Sequence, residues 1–364
     1  MASGGSSAGV DSRSGQGGTA GGVSGDGGMP SNCPMYGEAG SGAGEGGASD
    51  SPRPPSCDGL ADTCGPCQNE NCCTSLPVPG GSYLRSYDGD VYAEKAYPAT
   101  VSDFRLDRFE VTVGRFRPFV DAVIAGWRPP AGSGKHAHLN QGFGIARTEP
   151  GWVSEDWDAY LPKTRSTWET EDHLLCDAEL QTWTPEPGAN ENQAIGCVTW
   201  IEAYAFCIWD GGFLPTEAEW NYAAAGGDEQ REYPWGSPDP NPDLAVYYCR
   251  SGGTPGCAWP VGSRPAGDGR WGHADLAGNR WELTLDTANV LDVSWPECAS
   301  GTACTGYAME DCEDCAYLEE TFNRVMRGGS NTDAPKNVRA ALRARAGTYD
   351  VMGDIGIRCA REPR

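Results

Sequence analysis

The stretch FLPTEAEWNYAAAGG, residues 213–227, decides the reading of this chain. Thr216, followed three residues later by Glu219, forms a capping box: the threonine oxygen takes a free N–H of the first helical turn, and the glutamate reaches back to the threonine's own N–H. The helix opened there ends at Gly226, which enters left-handed backbone at little cost. Leu214 and Trp220 are its anchors to a core. Thr199 with Glu202 opens TWIEAYAFCIWDGG (199–212) in the same way, stopping at Gly211 and Gly212. Thr112 caps a third helix whose apolar Val113, Phe116, Phe119, Val120, Val123 and Ile124 share one face, with Gly126 as its stop. Between and after these helices lie Gly-, Pro-, Trp- and Asn-rich segments with few alternating runs. The expectation is an α+β domain of modest regular structure with many ordered loops.

Composition bounds the rest. A chain of 364 residues with 38% hydrophobic content and 13 Trp buries a substantial core. Acidic residues outnumber basic ones by 51 to 27, and no basic run offsets the net charge of −24. Such a surface repels phosphate backbones and anionic lipid, which excludes nucleic acid and membrane surfaces as partners. Sixteen cysteines scattered over the folded part point to disulfides and an oxidising compartment, periplasmic or cell-surface. No stretch approaches the roughly 18 apolar residues of a spanning helix. The first residues, MASGGSSAGV, carry neither a basic nor an apolar export region. The expectation is therefore a start upstream, or a segment that begins past a removed signal or lipid anchor.

Residues 1–56 are rich in Gly, Ser, Ala and Pro, which reads as a disordered tether holding one cysteine, Cys33. Residues 57–80 form a small Cys-rich segment with Cys57, Cys64, Cys67, Cys72 and Cys73, read as a stapled knob. Cys64-x-x-Cys67 also has the form of half a zinc site or a redox pair. Zinc, however, needs a second ligand pair that Cys72-Cys73 does not supply. The main domain runs over 81–364.

Six words occur in order through this domain: FLPTEAEWNYAAAGG, YPWG (233–236), PVGS (260–263), DLAGNRWEL (275–283), RVMRGGS (324–330) and GIRCAR (356–361). Each has a local meaning: PWG and AGN are turn texts, and RVMR is a short strand from Arg324 to Arg327 ending in a glycine pair. Together they resemble the formylglycine-generating (sulfatase-modifying factor) family, and FRLDRFEVTVGRFRPFV (104–120) resembles the opening of the same domain. The resemblance covers about residues 83–364 and implies a C-type-lectin-like fold.

For activity, the resemblance implies copper(I) held by two cysteines placed three and eight residues after the serine of GGS. Counting from Ser330, those positions are Asp333 and Val338, and no cysteine lies between Cys315 and Cys359. Copper(I) is soft and prefers thiolate, and exchange with a substrate cysteine also needs a thiol, so copper is not expected here. DLAGNRWE resembles the family's calcium turn, which implies carboxylates from Asp275 and Glu282 and main-chain carbonyls from Gly278 and Arg280; the alternative is a turn with two solvated acids. A second calcium site lacks its amide ligand, and a Cys249–Cys257 bridge is expected in its place. The resemblance also implies a long-range disulfide from Cys207 to Cys359. Cys176 and Cys197 bracket a Trp- and Pro-rich loop and are the next pair.

Cys312-Glu313-Asp314-Cys315 is a further CxxC beside the RVMRGGS strand. Its acids raise thiol pKa, so two bridges shared with Cys298 and Cys304 are favoured over a reactive pair. None of the four histidines, His136, His138, His173 and His273, stands in a triad context. His136-x-His138 resembles the metal pair of iron-dependent sulfoxide synthases, which take ligands from a helical domain not visible here, so a solvated Gly-rich loop is expected. The function expected is a monomeric, calcium- and disulfide-stabilised binding or scaffold module for a peptide, protein or glycan. The alternative is a formylglycine-generating-type oxidoreductase acting on a protein cysteine, or other chemistry in the same groove.

Overall fold

The computed structural model describes residues 53–145, 148–249, 259–288, 312–319 and 322–363. Residues 1–52, with Cys33, and Cys257, Cys298 and Cys304 lie outside the described residues; of the stretch read as a tether, 53–56 are described, and Ser56 is buried in the fold. In chain order come β1 (Ser75–Val78), β2 (Gly81–Leu84), β3 (Pro98–Val101), β4 (Phe104–Asp107), α1 (Val113–Ile124), α2 (Ser154–Trp157), α3 (Arg165–Trp168), α4 (Trp200–Trp209) and α5 (Glu217–Ala225). There follow β5 (Trp281–Thr287), β6 (Cys312–Glu313), β7 (Asn323–Arg327), β8 (Arg343–Gly347), β9 (Ile355–Gly356) and β10 (Ala360–Arg361). They make three small sheets, ordered β1-β4-β10, β2-β3-β6 and β8-β7-β5-β9. This is the low-regularity α+β architecture expected from the sequence.

All three helix starts follow their caps. Both capping boxes close, Thr199 with Glu202 and Thr216 with Glu219, and the Thr112 side chain accepts from the Arg115 N–H. α5 ends on Gly226 in left-handed backbone, φ 66°. What sequence periodicity does not reveal is that α5 is buried on every side, all nine residues of it. One hydrophobic cluster packs α1 and α4 against β5 through Phe116, Phe119, Phe206, Trp200 and Trp281. A second gathers Val78, Phe104, Leu276 and Ala360 around Trp220 of α5.

Disulfides brace the loops, as such irregular backbone requires. Cys207 joins Cys359 across 152 residues, tying α4 to the C-terminal strand, and Cys176 joins Cys197. Cys57 pairs with Cys73, and Cys64 with Cys72, so Cys64-x-x-Cys67 is a staple element and Cys67 is bridged as well. The 57–80 segment is not a knob ahead of the domain. Its β1 pairs with β4 from Ser75↔Asp107 to Val78↔Phe104, and buried Arg115 of α1 donates to Ser56 Oγ and to the Cys72 carbonyl. A short stapled segment has no core of its own, so its apolar side chains are buried by joining the main sheet.

Replacing Cys207 and Cys359 with alanine is expected to lower the unfolding free energy by about 3–5 kcal/mol in a urea melt. A loss below about 1 kcal/mol would contradict a bracing role for this bridge.

Candidate functional site

β7 runs into Gly328 and Gly329, both left-handed at φ 96° and 74°, and the chain turns there to present Ser330. A Cβ on Gly329 would stand 2.6 Å from the Asn337 carbonyl oxygen, so the corner needs glycine. The corner is laced to the 275–282 turn. The Gly278 N–H donates to the Gly328 carbonyl, the Asn331 N–H to the Asn279 carbonyl, and the Trp281 N–H to the Asp354 carbonyl, each at 2.9 Å.

Both positions at which the family resemblance places cysteine are here, and neither side chain is open to a ligand. Asp333 Oδ2 accepts the Ser330 N–H at 2.9 Å and the Ser330 hydroxyl at 2.8 Å, while Oδ1 accepts from Asn337 Nδ2 at 3.0 Å. Val338 is 0% exposed, packed with Tyr233 and Ala277 and flanked by Trp235 and Tyr247. The Thr332 hydroxyl donates to Asp354 Oδ2 at 3.0 Å, and Ser330 Oγ lies 3.3 Å from the same oxygen. Burial and the charge of Asp354 push the Asp333 carboxyl up, against the downward pull of the Ser330 and Asn337 donors. Thr332, Asn337 and Asp354 had no sequence signal, because their roles arise only when the corner folds.

Around the 275–282 turn Glu282 is buried and Asp275 half-buried, and both are hydrogen-bonded. Asp275 Oδ2 accepts the Gly262 N–H at 2.6 Å. Glu282 is clamped by buried Arg358, with Nη2 at 2.7 Å from Oε1 and Nε at 2.9 Å from Oε2, and its Oε2 also takes Trp220 Nε1 at 2.6 Å. A third acid, Glu110 of the EVT text, accepts the Arg280 N–H at 3.0 Å and the Asn279 side-chain amide. Burial, then Asp275 and Glu282, push Glu110 well above the usual carboxylate range. The Arg280 side chain donates to the carbonyls of Leu180 and Gly353, away from the turn. No group of three or more His, Cys, Asp or Glu among the described residues is set to hold a metal ion. A calcium site built half from main-chain carbonyls does not need such a group. The oxygen donors suit a hard cation and the excess of negative charge favours one, but Glu282 is the member already committed, to Arg358 and Trp220.

The histidine pair corrects the expected solvated loop. His136 is fully buried, with Nδ1 at 2.9 Å from Glu149 Oε1 and Nε2 at 3.1 Å from Glu219 Oε2, and its ring centroid lies 4.0 Å from that of Phe213. His138 stacks on the same phenyl ring. His173 pairs with Glu202 at 2.7 Å, and His273 is pushed down to about 3 by burial and Arg358. His136 was misread because its two carboxylates lie 13 and 83 residues away and leave no local pattern.

A family model described as the sulfatase-modifying factor enzyme 1-like domain matches residues 61–363. Hercynine oxygenase of Mycolicibacterium smegmatis is 30% identical over 74% of this chain, which spans 57% of that protein's length. Mouse formylglycine-generating enzyme is 26% identical over 79% of this chain and 74% of its own. The mouse protein named inactive C-alpha-formylglycine-generating enzyme 2 is 29% identical over 62% of this chain and 75% of its own. Among solved structures, PvdO from Pseudomonas aeruginosa superposes with a TM-score of 0.49 at 20% identity, over 79% of this chain and 94% of its own.

Despite burial, which lowers it, the carboxylates of Glu219 and Glu149 hold the His136 imidazole up, at about 10 against an ordinary 6.5. A folded-state value above the unfolded one means that its stabilisation is complete below about pH 6.5 and is lost as pH rises towards 10. His136→Gln is therefore expected to cost about 3 kcal/mol in urea melts near pH 6. The gap to the parent chain narrows by pH 10, and a gap independent of pH would contradict a charged His136.

Proposed function

This chain belongs to the family of sulfatase-modifying factor enzyme 1-like domains, and from that premise we propose that it is a binding or scaffold module that holds a peptide or glycan without oxidising it. The observation that carries the reading is the filled corner at Ser330. A carboxylate stands where the first sulfur belongs, with both oxygens taken up by the turn it closes. An isopropyl group sealed under aromatic rings stands at the second position. Neither holds a soft monovalent ion, and neither exchanges with a substrate thiol. A relative named as inactive is consistent with a family that retains the fold without the oxidation.

A surface for a ligand is present elsewhere. Tyr160, at the end of the GWVSEDWDAY stretch (151–160), packs against Tyr349 with tilted rings whose centroids are 4.4 Å apart, and the two residues are 49% and 42% exposed. Phe322, 78% exposed, is tied to the same turn through its carbonyl, which accepts the Thr348 N–H. Exposed aromatic rings grouped in this way mark interaction sites more often than solitary ones do. The bridges support an oxidising, extracytoplasmic compartment. No helix among the described residues is long and apolar enough to cross a membrane.

Calcium is the structural ion we propose for the turn, with Asp275, Glu282 and the carbonyls of Gly278 and Arg280 as the donors. It would relieve the repulsion among Asp275, Glu282 and Glu110, which Arg358 offsets only in part.

Incubation of the purified protein with copper(I), oxygen and a peptide carrying Cys-x-Pro-x-Arg is expected to leave the cysteine mass unchanged; conversion to formylglycine would overturn the non-oxidising reading. Glycan and peptide arrays are expected to retain the chain, and Tyr160→Ala with Tyr349→Ala to lose that retention, whereas blank arrays would count against a binding module. Calcium at a hundredfold its Kd is expected to stabilise the fold by about 2.7 kcal/mol, a rise of several degrees in Tm that EGTA reverses. An unchanged Tm would remove calcium from the account.

A further inference from the structure

The CxxC of the sequence forms a bridge within itself: Cys312 is bonded to Cys315, at a separation of only 3 residues. The other described bridges close loops of 8, 16, 21 and 152 residues. A loop this short restricts the unfolded chain least, so bracing gives the weakest account of this bridge. It also sits differently in the fold. Among the described residues β6, which carries Cys312, is an edge strand of the β2-β3-β6 sheet and pairs with β3 through Ala99↔Cys312 and Thr100↔Glu313. Cys312 and Cys315 each keep a little exposure, 6% and 7%, while in two of the other described bridges the more open ends are Cys73 and Cys176, both half-buried.

Two contacts reverse the expectation set by the flanking acids. The buried Arg85 guanidinium places Nη1 3.6 Å from Cys315 Sγ. Beside its other partners, this guanidinium lies within reach of the thiolate that Cys315 becomes when the S–S bond opens. Asp314, meanwhile, is drawn to Ser102, whose N–H and hydroxyl donate to its two oxygens at 2.6 and 2.7 Å. Glu313, the other acid, is exposed to solvent, where its field is screened.

We propose that Cys312–Cys315 is a thiol–disulfide exchange site whose reductant is an exposed cysteine thiol of a peptide or a small-molecule thiol. The incoming thiolate attacks Cys312 Sγ. A new S–S bond forms between it and Cys312, the Cys312–Cys315 bond breaks, and Cys315 leaves as a thiolate beside Arg85. A second thiolate then attacks the incoming sulfur of the mixed disulfide and releases Cys312. Two thiols have become one external disulfide, and two electrons and two protons have passed to the protein pair. The guanidinium selects Cys315 as the leaving group, because the more stable thiolate leaves faster. No metal or oxygen enters, so the site stands or falls independently of the binding role proposed above.

The test uses the intact chain under native conditions, with graded dithiothreitol followed by alkylation and mass spectrometry. Cys312–Cys315 is expected to open at least tenfold faster than Cys207–Cys359 and Cys176–Cys197. Arg85→Gln is expected to slow that opening severalfold while the other bridges keep their rates. Opening only in step with the long-range bridges, or an Arg85→Gln rate equal to the parent's, would overturn the proposal. Should Arg85→Gln fail to fold, Cys315→Ser treated with oxidised glutathione decides the matter. A glutathione adduct on Cys312 of the folded variant supports an accessible exchange sulfur, and its absence overturns one.

Discussion

The fold depends on keeping charge paired around a helix that has no solvent-facing side. α5 carries Glu217 and Glu219 into the interior, and an unpaired carboxylate there would cost several kcal/mol. Glu217 is met by Arg327 at the end of β7 and by Arg343 at the start of β8. Burial pushes this acid up, yet Arg343 and Arg327 hold it down, at about 2. Glu219 closes the helix cap and reaches His136 from a loop that precedes α2. Trp220, between them, donates to Glu282 on β5, which Arg358 clamps beside the last strand. One turn of helix thus fixes the ends of β7, β8 and β5, from which the GGS corner and the 275–282 turn project.

That framework explains how the corner keeps its shape with Asp333 and Val338 in place of cysteines. The Gly278 to Gly328 hydrogen bond and its two neighbours lace turn and corner into one unit whatever stands at 333 and 338. Asp333 then acts as a local brace for the corner, and Val338 fills space beneath the stacked rings of Tyr233 and Trp235. Asp333 and Val338 give the corner hydrogen bonds and packing of its own. The sulfur chemistry proposed for this chain is placed instead at the Cys312–Cys315 bridge beside Arg85.

Much of this was legible in the sequence because it is local. Thr112, Thr199 and Thr216 announce helices through contacts three residues long, Gly226 and the Gly328-Gly329 pair mark obligatory turns, and Cys207 with Cys359 follows from the family words around them. What was not legible is long-range. The pairing of Glu217 with Arg343 spans 126 residues, and nothing near either residue encodes it. His136 looked solvated because glycines surround it, while the acids that bury it come from Glu149 and Glu219. The Cys-rich segment looked separate because its partners, β4 and Arg115, lie well downstream. Glu110 reads as an ordinary word of the opening text until Asn279 and Arg280 arrive beside it.

The central claim is that the Ser330 corner has no place for a soft metal. A competition titration of copper(I) against a chromogenic chelator, with the disulfides left intact, addresses it most directly. The account predicts that the chelator keeps all the copper and that Asp333→Ala changes nothing. One equivalent of copper retained by the protein, with X-ray absorption reporting two sulfur neighbours, would contradict it.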